Sequence, residues 1–67
     1  MLELGLYRHF KGNEYEVITI AKHSETGEEM VVYRSVDVPE TVWIRPLTMW
    51  SEVVVRDGIE YQRFSKI

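Results

Sequence analysis

The sequence contains no cysteine and only 2 histidines among its 67 residues. Disulfide bonds and thiolate metal sites are therefore excluded, and two histidines alone cannot complete a tetrahedral zinc shell. No run approaches the roughly 20 apolar residues of a membrane-spanning helix, and the first residues lack the basic start and apolar run of a signal peptide. We expect a cytoplasmic protein that has no cofactor and no redox or zinc-finger chemistry.

An excess of charge is also lacking, because 8 Lys and Arg against 11 Asp and Glu give a net charge of −3. This mildly acidic balance argues against broad electrostatic capture of nucleic acid or of an anionic membrane, although it leaves room for a local basic patch. A chain of this length can bury one compact core. We therefore expect a single domain over residues 1–67, without a large catalytic cleft.

The chain does contain short runs rich in Val, Ile and aromatic residues, separated by turn residues about every eight to twelve positions. Helical spacing is almost absent. The pattern predicts strands at residues 6–10, 15–21, 30–35, 41–45, 51–55 and 59–64, with one helical turn at residues 47–50 after Pro46.

Turn chemistry predicts the first hairpin. Gly12 and Asn13 tolerate the positive φ angles of a two-residue turn. That turn would place Lys11 opposite Glu14, Phe10 opposite Tyr15 and His9 opposite Glu16. His9 could then serve as a metal ligand or an acid–base pair if His23 approached it, but we favour a simple cross-strand contact.

The last hairpin allows two registers. A two-residue loop at Asp57 and Gly58 would pair Val55 with Glu60, whereas a three-residue loop that includes Arg56 would pair Val55 with Ile59. We favour the three-residue loop, because it gathers the apolar residues of this hairpin on one face. That face would consist of Val53, Val55, Ile59 and Tyr61.

Five to six short antiparallel strands with one helical turn before the last hairpin predict an all-β fold, a small SH3-like barrel. Closure into a barrel would remove exposed strand edges. The predicted interior consists of Val17, Ile18, Ile20, Val31, Val32, Ile44 and Leu47.

The polar loop before the third strand is one candidate site. His23, Ser24, Glu25 and Thr26 together offer an imidazole, two hydroxyls and a carboxylate, which are components of proton-transfer and acyl-transfer sites. A catalytic pair needs its groups within roughly 3 Å, and neighbouring side chains on a loop seldom meet this condition. The simpler interpretation, which we favour, is that these side chains satisfy backbone groups of the loop.

Aromatic residues interleaved with arginines form the other candidate site. The set comprises Tyr7, Tyr33, Trp43, Trp50, Tyr61 and Phe64 with Arg34, Arg45 and Arg63. At least half of these rings should be core, and Arg45 and Arg63 could simply pair with Glu52 or Glu25. Arg45, however, ends a strand before the rigid Pro46, where its planar guanidinium could bind a carboxylate or a phosphate.

Several blocks of the sequence together resemble a known family. They are Gly5-x-Tyr7-x-His9-x-Lys11-Gly12-Asn13-x-Tyr15-x-Val17, Ala21-x-His23-Ser24-Glu25-Thr26, Val31-Val32-Tyr33, Trp43-x-Arg45-Pro46-Leu47, Met49-Trp50-x-Glu52 and Arg63-Phe64. In this order they resemble the domain of unknown function 1653 family of small bacterial proteins. Trp50 stands where that family is expected to carry phenylalanine. The resemblance implies a stand-alone bacterial cytoplasmic domain and transfers no mechanism.

We predict a binding module for a small anionic or aromatic ligand, a nucleotide-like group or a peptide. The shallow groove that binds it would be lined by His23, Ser24, Glu25, Thr26, Tyr33, Arg45 and Trp50. The first alternative is a structural or interaction domain that pairs with itself or with a larger protein. A minimal hydrolase that uses His23 and Glu25 is the second alternative. Net charge disfavours nucleic acid and membrane partners, and the sequence leaves the oligomeric state open.

Overall fold

The computed structural model of the protein describes residues 2–67. Within this range the elements are β1 (Gly5–His9), β2 (Glu14–Lys22), β3 (Glu29–Ser35), β4 (Val42–Pro46), α1 (Leu47–Trp50), β5 (Val53–Arg56), β6 (Ile59–Gln62) and β7 (Phe64–Lys66). Five strands form one sheet in the order β4-β3-β2-β1-β7, and β5 and β6 form a separate hairpin. All paired strands are antiparallel.

The predicted all-β, antiparallel architecture with one helical turn is confirmed. Across residues 2–67, β4 and β7 are the two edges of an open five-stranded sheet, and no pairing joins either of them to the β5–β6 hairpin. The sheet is therefore not closed into a barrel. In the same range, no helix has the length and apolar character needed to cross a lipid bilayer.

The first hairpin has a different turn from the predicted one. Its loop has three residues, because the amide of His9 donates to the carbonyl of Asn13 at 2.7 Å and the amide of Gly12 donates to the carbonyl of His9 at 2.7 Å. Gly12 has a φ of 108°, whereas Asn13 does not adopt a positive φ. A two-residue turn of type I′ at Gly12 and Asn13 needs a positive φ at both residues, and the chain instead forms a three-residue loop with glycine last.

The register of β1 and β2 shifts accordingly. Tyr7 faces Tyr15, Arg8 faces Glu14 and Leu6 faces Glu16. The predicted pairings of Lys11 with Glu14, Phe10 with Tyr15 and His9 with Glu16 are therefore wrong.

The last hairpin has a two-residue turn, where a three-residue loop was predicted. Asp57 has a φ of 52° and Gly58 a φ of 77°, so both central positions of a two-residue turn are left-handed. Val55 therefore pairs with Glu60, and the predicted three-residue loop is wrong. The expected apolar face is divided between the two sides of the hairpin, and its four members are all exposed: Val53, Val55, Ile59 and Tyr61.

The predicted strand at residues 59–64 divides at Arg63. The amide of Arg63 donates to the carbonyl of Glu52 at 3.0 Å, and its carbonyl accepts from the amide of Phe10 at 2.9 Å. After this break, β7 leaves the hairpin and pairs with β1, where Phe64 lies opposite His9. Phe64 is thereby placed in the core.

The core is mainly aromatic. Its buried members are Tyr7, Val17, Val31, Tyr33, Trp50 and Phe64. The short helix α1 places Trp50 on the sheet, where its ring stacks on Phe64 with centroids 3.6 Å apart and planes 2° apart. The expectation that at least half of the six listed rings are core is confirmed, since only Trp43 and Tyr61 among them are exposed.

Three residues of the predicted interior lie outside the core. Ile44 is exposed because β4 is an edge strand and this side chain points to the side opposite the buried rings, and Val32, directly opposite Ile44, lies on the same outer face. Ile18 is exposed because neighbouring residues of a strand point to opposite faces and Val17 is buried. The bulge between Val17 and Thr19 then brings Ile20 back to the core side, opposite Val31.

Candidate functional site

Strand pairing gathers aromatic residues and Arg45 on the core side of the five-stranded sheet. Val31 lies opposite Arg45, and Tyr33 lies between Val17 and Trp43. Residues directly opposite one another in an antiparallel pair share a face of the sheet. The side chains of Arg45 and Trp43 therefore lie on the same face as the buried Tyr33.

A cleft of about 470 Å³ opens at this position. We call it the Arg45 cleft, and its lining consists of Tyr15, Tyr33, Ser35, Val38, Thr41, Trp43 and Arg45. Tyr33 is 8% exposed and belongs to the core, whereas Trp43 is 53% exposed and stands on the edge strand. Buried and accessible rings thus meet in one depression, with two hydroxyl side chains beside them.

Arg45 differs from most other arginines of the domain in lacking an acidic partner. The ion pairs of residues 2–67 are Arg8 with Glu14, Arg34 with Glu16 and Arg63 with Glu52. Arg45 belongs to none of them, and its guanidinium carbon lies 5.7 Å from the centroid of the Phe64 ring. The expected pairing with Glu52 is confirmed for Arg63 only, at 3.4 Å. The guanidinium of Arg45 therefore lies against an aromatic ring, and no carboxylate of the described residues competes with an anionic ligand for it.

His9 packs against two aromatic rings, those of Phe64 and Tyr15. Its imidazole centroid is 5.0 Å from that of Phe64 and 6.5 Å from that of Tyr15. Burial, and then the positive charges of Arg63, Lys11 and Arg45, hold the pKa of His9 below its usual value of 6.5. Three cationic side chains therefore act on His9 in addition to its burial, although the whole chain is acidic.

The loop of His23 to Thr26 is organised by its own hydrogen bonds. The amides of Glu25 and Thr26 donate to Nδ1 of His23 at 3.1 and 3.3 Å. The hydroxyl of Thr26 accepts from the amide of Glu28 at 3.2 Å. Neither the Ser24 hydroxyl nor the Glu25 carboxylate forms a hydrogen bond with the imidazole in the described chain, so the geometry of a catalytic dyad is not present.

This loop adjoins the first residue of β3, whereas most of the Arg45 cleft lies near the last residues of this strand. The loop ends before Glu29, which is four residues from Tyr33, or roughly 13 Å along an extended strand. Arg45 itself pairs with Val31, two residues or roughly 7 Å after Glu29. Trp50 is 2% exposed and stacks within the core. Of the seven predicted site residues, the structure brings Tyr33 and Arg45 together in the cleft, and none of the residues His23 to Thr26 lines it.

The structure does not bring His9 and His23 together. His9 precedes β2 and His23 follows it, so a nine-residue strand, roughly 30 Å long, separates them. Among residues 2–67 no three His, Cys, Asp or Glu side chains form a group that could hold a metal ion.

The seven predicted site residues omit two aromatic walls of the cleft, Tyr15 and Trp43, although Trp43 belonged to the candidate set of aromatic residues and arginines. Trp43 was recognisable as an aromatic residue two positions before Arg45, a spacing that places both side chains on one face of a strand. Tyr15 could not be placed, because the register of the first hairpin was wrong by three positions.

Comparison with known proteins identifies the family. The family model described as "Protein of unknown function (DUF1653)" matches residues 5–66. The chain belongs to this family. A solved structure of a DUF1653 protein from Bordetella bronchiseptica is similar over 98% of this chain and 87% of that one, with a TM-score of 0.86 and 31% sequence identity. A search of curated proteins found no match.

Family membership confirms the resemblance seen in the sequence, and the solved relative shares the fold of this domain. The family description assigns no activity, so the function has to be argued from the site itself.

Proposed function

We propose that this DUF1653 domain is a binding module for a small ligand that carries an anionic group beside a planar ring, such as a nucleotide-like group. The ligand would occupy the Arg45 cleft, with its anionic group on the guanidinium of Arg45 and its ring against Trp43. The His23 loop, which the sequence suggested as part of the same groove, would take no part in binding.

The observation that carries this proposal is the state of Arg45. Its guanidinium lies in an aromatic cleft, over Phe64, without a carboxylate partner among residues 2–67. Arginine in such surroundings can donate two parallel hydrogen bonds to a carboxylate or phosphate, and a planar ring can stack beside it.

The shape and lining of the cleft agree with a small ligand. Its volume of about 470 Å³ is within the usual range of roughly 300–1,000 Å³ for small-molecule sites. Ser35 and Thr41 add hydroxyl groups that can accept and donate hydrogen bonds at the rim. Trp43, more than half exposed, supplies an accessible face for stacking.

An interaction domain is the second candidate, and exposed apolar side chains favour it. Val53, Val55 and Ile59 on the β5–β6 hairpin are all more than half exposed. A hydrolase is not proposed, because the hydrogen bonds of His23 go to loop amides and not to a nucleophile or a carboxylate.

A titration followed by two-dimensional amide NMR tests the binding proposal. A nucleoside monophosphate, a short single-stranded oligonucleotide and a mixture of peptides would be added separately to the labelled domain. We expect the nucleoside monophosphate to shift signals of Tyr33, Trp43 and Arg45, and to leave those of His23 to Thr26 unchanged.

Two arginine variants sharpen this test. Arg45→Gln should weaken binding by about 10- to 100-fold, since hydrogen bonds to charged groups contribute roughly 1.5–3 kcal/mol. Arg56→Gln is the matched control, because Arg56 also lies over a ring without an ion-pair partner, 5.8 Å from the centroid of Phe10. Equal loss in both variants, or no binding by the unmodified domain, would contradict the proposal.

An SH3-like arrangement is a further part of what we propose. It is supported by the bulge in β2, which bends the sheet, and by the helical turn of α1 before the last hairpin. A solution structure in which the β5–β6 hairpin packs across the open side of the sheet would support it. A hairpin that projects freely would argue against it.

A further inference from the structure

The β4 strand is a free sheet edge with exposed apolar side chains. It pairs with β3 on one side, and among residues 2–67 no strand pairs with its other side. Val42, Trp43 and Ile44 are each more than half exposed. An edge of this kind presents unpaired backbone groups next to apolar surface, which favours pairing with another strand.

Features that usually protect an edge strand are scarce in β4. Arg45 is its single charged residue, and the strand contains neither lysine nor an acidic residue. Proline occurs only at its last position, Pro46. The opposite edge of the sheet, β7, has only three residues and includes a lysine. Of the two edges, β4 is therefore the one suited to strand addition.

We propose that the partner on this edge is a second copy of the chain, whose β4 pairs antiparallel with the first across a two-fold axis. In this arrangement the strand is complementary to itself. With Ile44 facing Ile44 of the second copy, Trp43 faces Arg45 and Val42 faces Pro46. The one charged side chain of β4 then lies against an indole ring, a favourable cation–π contact, and no like charges oppose each other.

Other registers lack this complementarity. A two-residue slip in one direction sets Arg45 opposite Arg45 of the second copy, which is unfavourable for directly facing like charges. A slip in the other direction sets Trp43 opposite Trp43 and removes the cation–π contacts. A one-residue slip would pair residues of the cleft face in one copy with residues of the outer face in the other. The two-fold axis excludes this, because it places the same face of both copies on the same side of the joined sheet.

The pairing would make one continuous ten-stranded sheet, from the 5 strands of each copy. Because the two-fold axis is perpendicular to the sheet, both Arg45 clefts would open on the same side. Each cleft would lie next to Trp43 of the second copy. The dimer would therefore bring the two candidate sites together, although its formation does not depend on ligand binding.

The surface involved indicates a dimer that depends on concentration. Three apolar side chains of this size, each just over half exposed, offer on the order of 300 Å² per copy. A stable interface usually buries roughly 800 Å² per partner, so the dimer should dissociate on dilution.

Sedimentation equilibrium of the full chain over a wide concentration range tests the proposal. We expect a monomer at low micromolar and a dimer at high micromolar to millimolar concentration. Ile44→Lys should shift the midpoint of dimerisation at least tenfold upward, since two lysines would then meet at the two-fold axis. Val55→Lys is the matched control, because Val55 and Ile44 are both 63% exposed strand residues, and it should leave the midpoint unchanged.

Cysteine cross-linking tests the register, and the absence of cysteine from the sequence makes each variant a single-thiol protein. Ile44→Cys should form a disulfide-linked dimer on oxidation, because the Cα atoms of facing residues lie about 4.5–5.5 Å apart, a distance that a disulfide spans. Val42→Cys should not, because the two thiols would lie roughly 13 Å apart.

Four results would overturn the proposal. In sedimentation, these are a monomer at every concentration or a dimer unaffected by Ile44→Lys. The others are equal cross-linking of both cysteine variants, and amide NMR signals of β4 that respond only to an added extended peptide. Circular dichroism of Ile44→Lys and Val55→Lys, which should both match the unmodified domain, separates a lost interface from a lost fold.

Discussion

Replacing Trp50 with phenylalanine should change the free energy of unfolding by no more than about 1.5 kcal/mol, whereas alanine at this position should lower it by about 3–5 kcal/mol. Trp50 is 2% exposed and lies between three other rings of the core. Its centroid is 3.6 Å from that of Phe64, 4.9 Å from that of Tyr33 and 5.6 Å from that of Tyr7. Alanine removes all three aromatic contacts.

Two opposing effects make the phenylalanine variant mild. The smaller ring lacks two carbon atoms, and at roughly 0.8 kcal/mol per buried carbon group this costs about 1.6 kcal/mol. It also lacks the indole Nε1–H of Trp50, which is buried without a hydrogen-bond acceptor among residues 2–67. A buried donor without an acceptor costs roughly 1–3 kcal/mol, so its removal offsets most of the lost burial.

Urea unfolding followed by far-UV circular dichroism measures both variants at one fixed low protein concentration. A domain of this size should have a total stability of roughly 3–10 kcal/mol, so the alanine variant should retain at most about 7 kcal/mol, and its midpoint of urea unfolding should fall well below that of the phenylalanine variant. Equal losses of stability in Trp50→Phe and Trp50→Ala would contradict this prediction. That result would mean that the indole N–H is satisfied in solution and that the exact fit of the larger ring holds the core.

Three further predictions follow from local geometry. Because the pKa of His9 is held below 6.5, the fold favours its neutral form, so stability should be full above about pH 6.5 and fall as the pH drops below that value; His9→Phe should remove this fall. Gly12→Ala should lower the free energy of unfolding by about 1–2 kcal/mol, because Gly12 has a φ of 108°. Asn13→Ala should lower it by less than about 0.5 kcal/mol. His23→Ala should lower stability by about 1 kcal/mol through its loop hydrogen bonds, and leave ligand binding at Arg45 unchanged.

Urea titrations at several pH values, repeated for each variant, measure these three effects. An unchanged pH dependence in His9→Phe would show that groups other than His9 cause the loss of stability at low pH. If Asn13→Ala cost as much as Gly12→Ala, the two-residue turn would be the correct one after all. Loss of ligand binding in His23→Ala would show that the His23 loop takes part in ligand binding.

The sequence was informative about the elements and much less so about their registers. Alternating apolar residues and turn residues were sufficient to place β3, β4 and α1, because these are local properties. The two hairpin turns were exchanged, since Asn13 and Asp57 both tolerate a positive φ and only Asp57 adopts it. That choice depends on packing at the ends of the strands, which a local pattern does not contain.

Tertiary contacts also decided which side chains form the core and the site. Phe64 became central because the chain breaks at Arg63 and returns to β1, and no sequence signal marks that break. Arg45 was recognisable before Pro46, but the sequence could not show that Glu52 pairs with Arg63 and leaves Arg45 without a partner. The His23 loop was suggested by its composition alone, and the strand pairing places the lining of the Arg45 cleft mostly toward the last residues of β3, without residues His23 to Thr26.

The two tryptophans provide the most direct test of the central claim that ligands bind in the Arg45 cleft. The labelled domain should show two indole N–H signals, one from the exposed Trp43 and one from the buried Trp50. Titration with a nucleoside monophosphate should shift the Trp43 signal saturably and leave the Trp50 signal in place. If neither signal moves at millimolar ligand, or if the shifts appear only in the loop of His23 to Thr26, the account is contradicted.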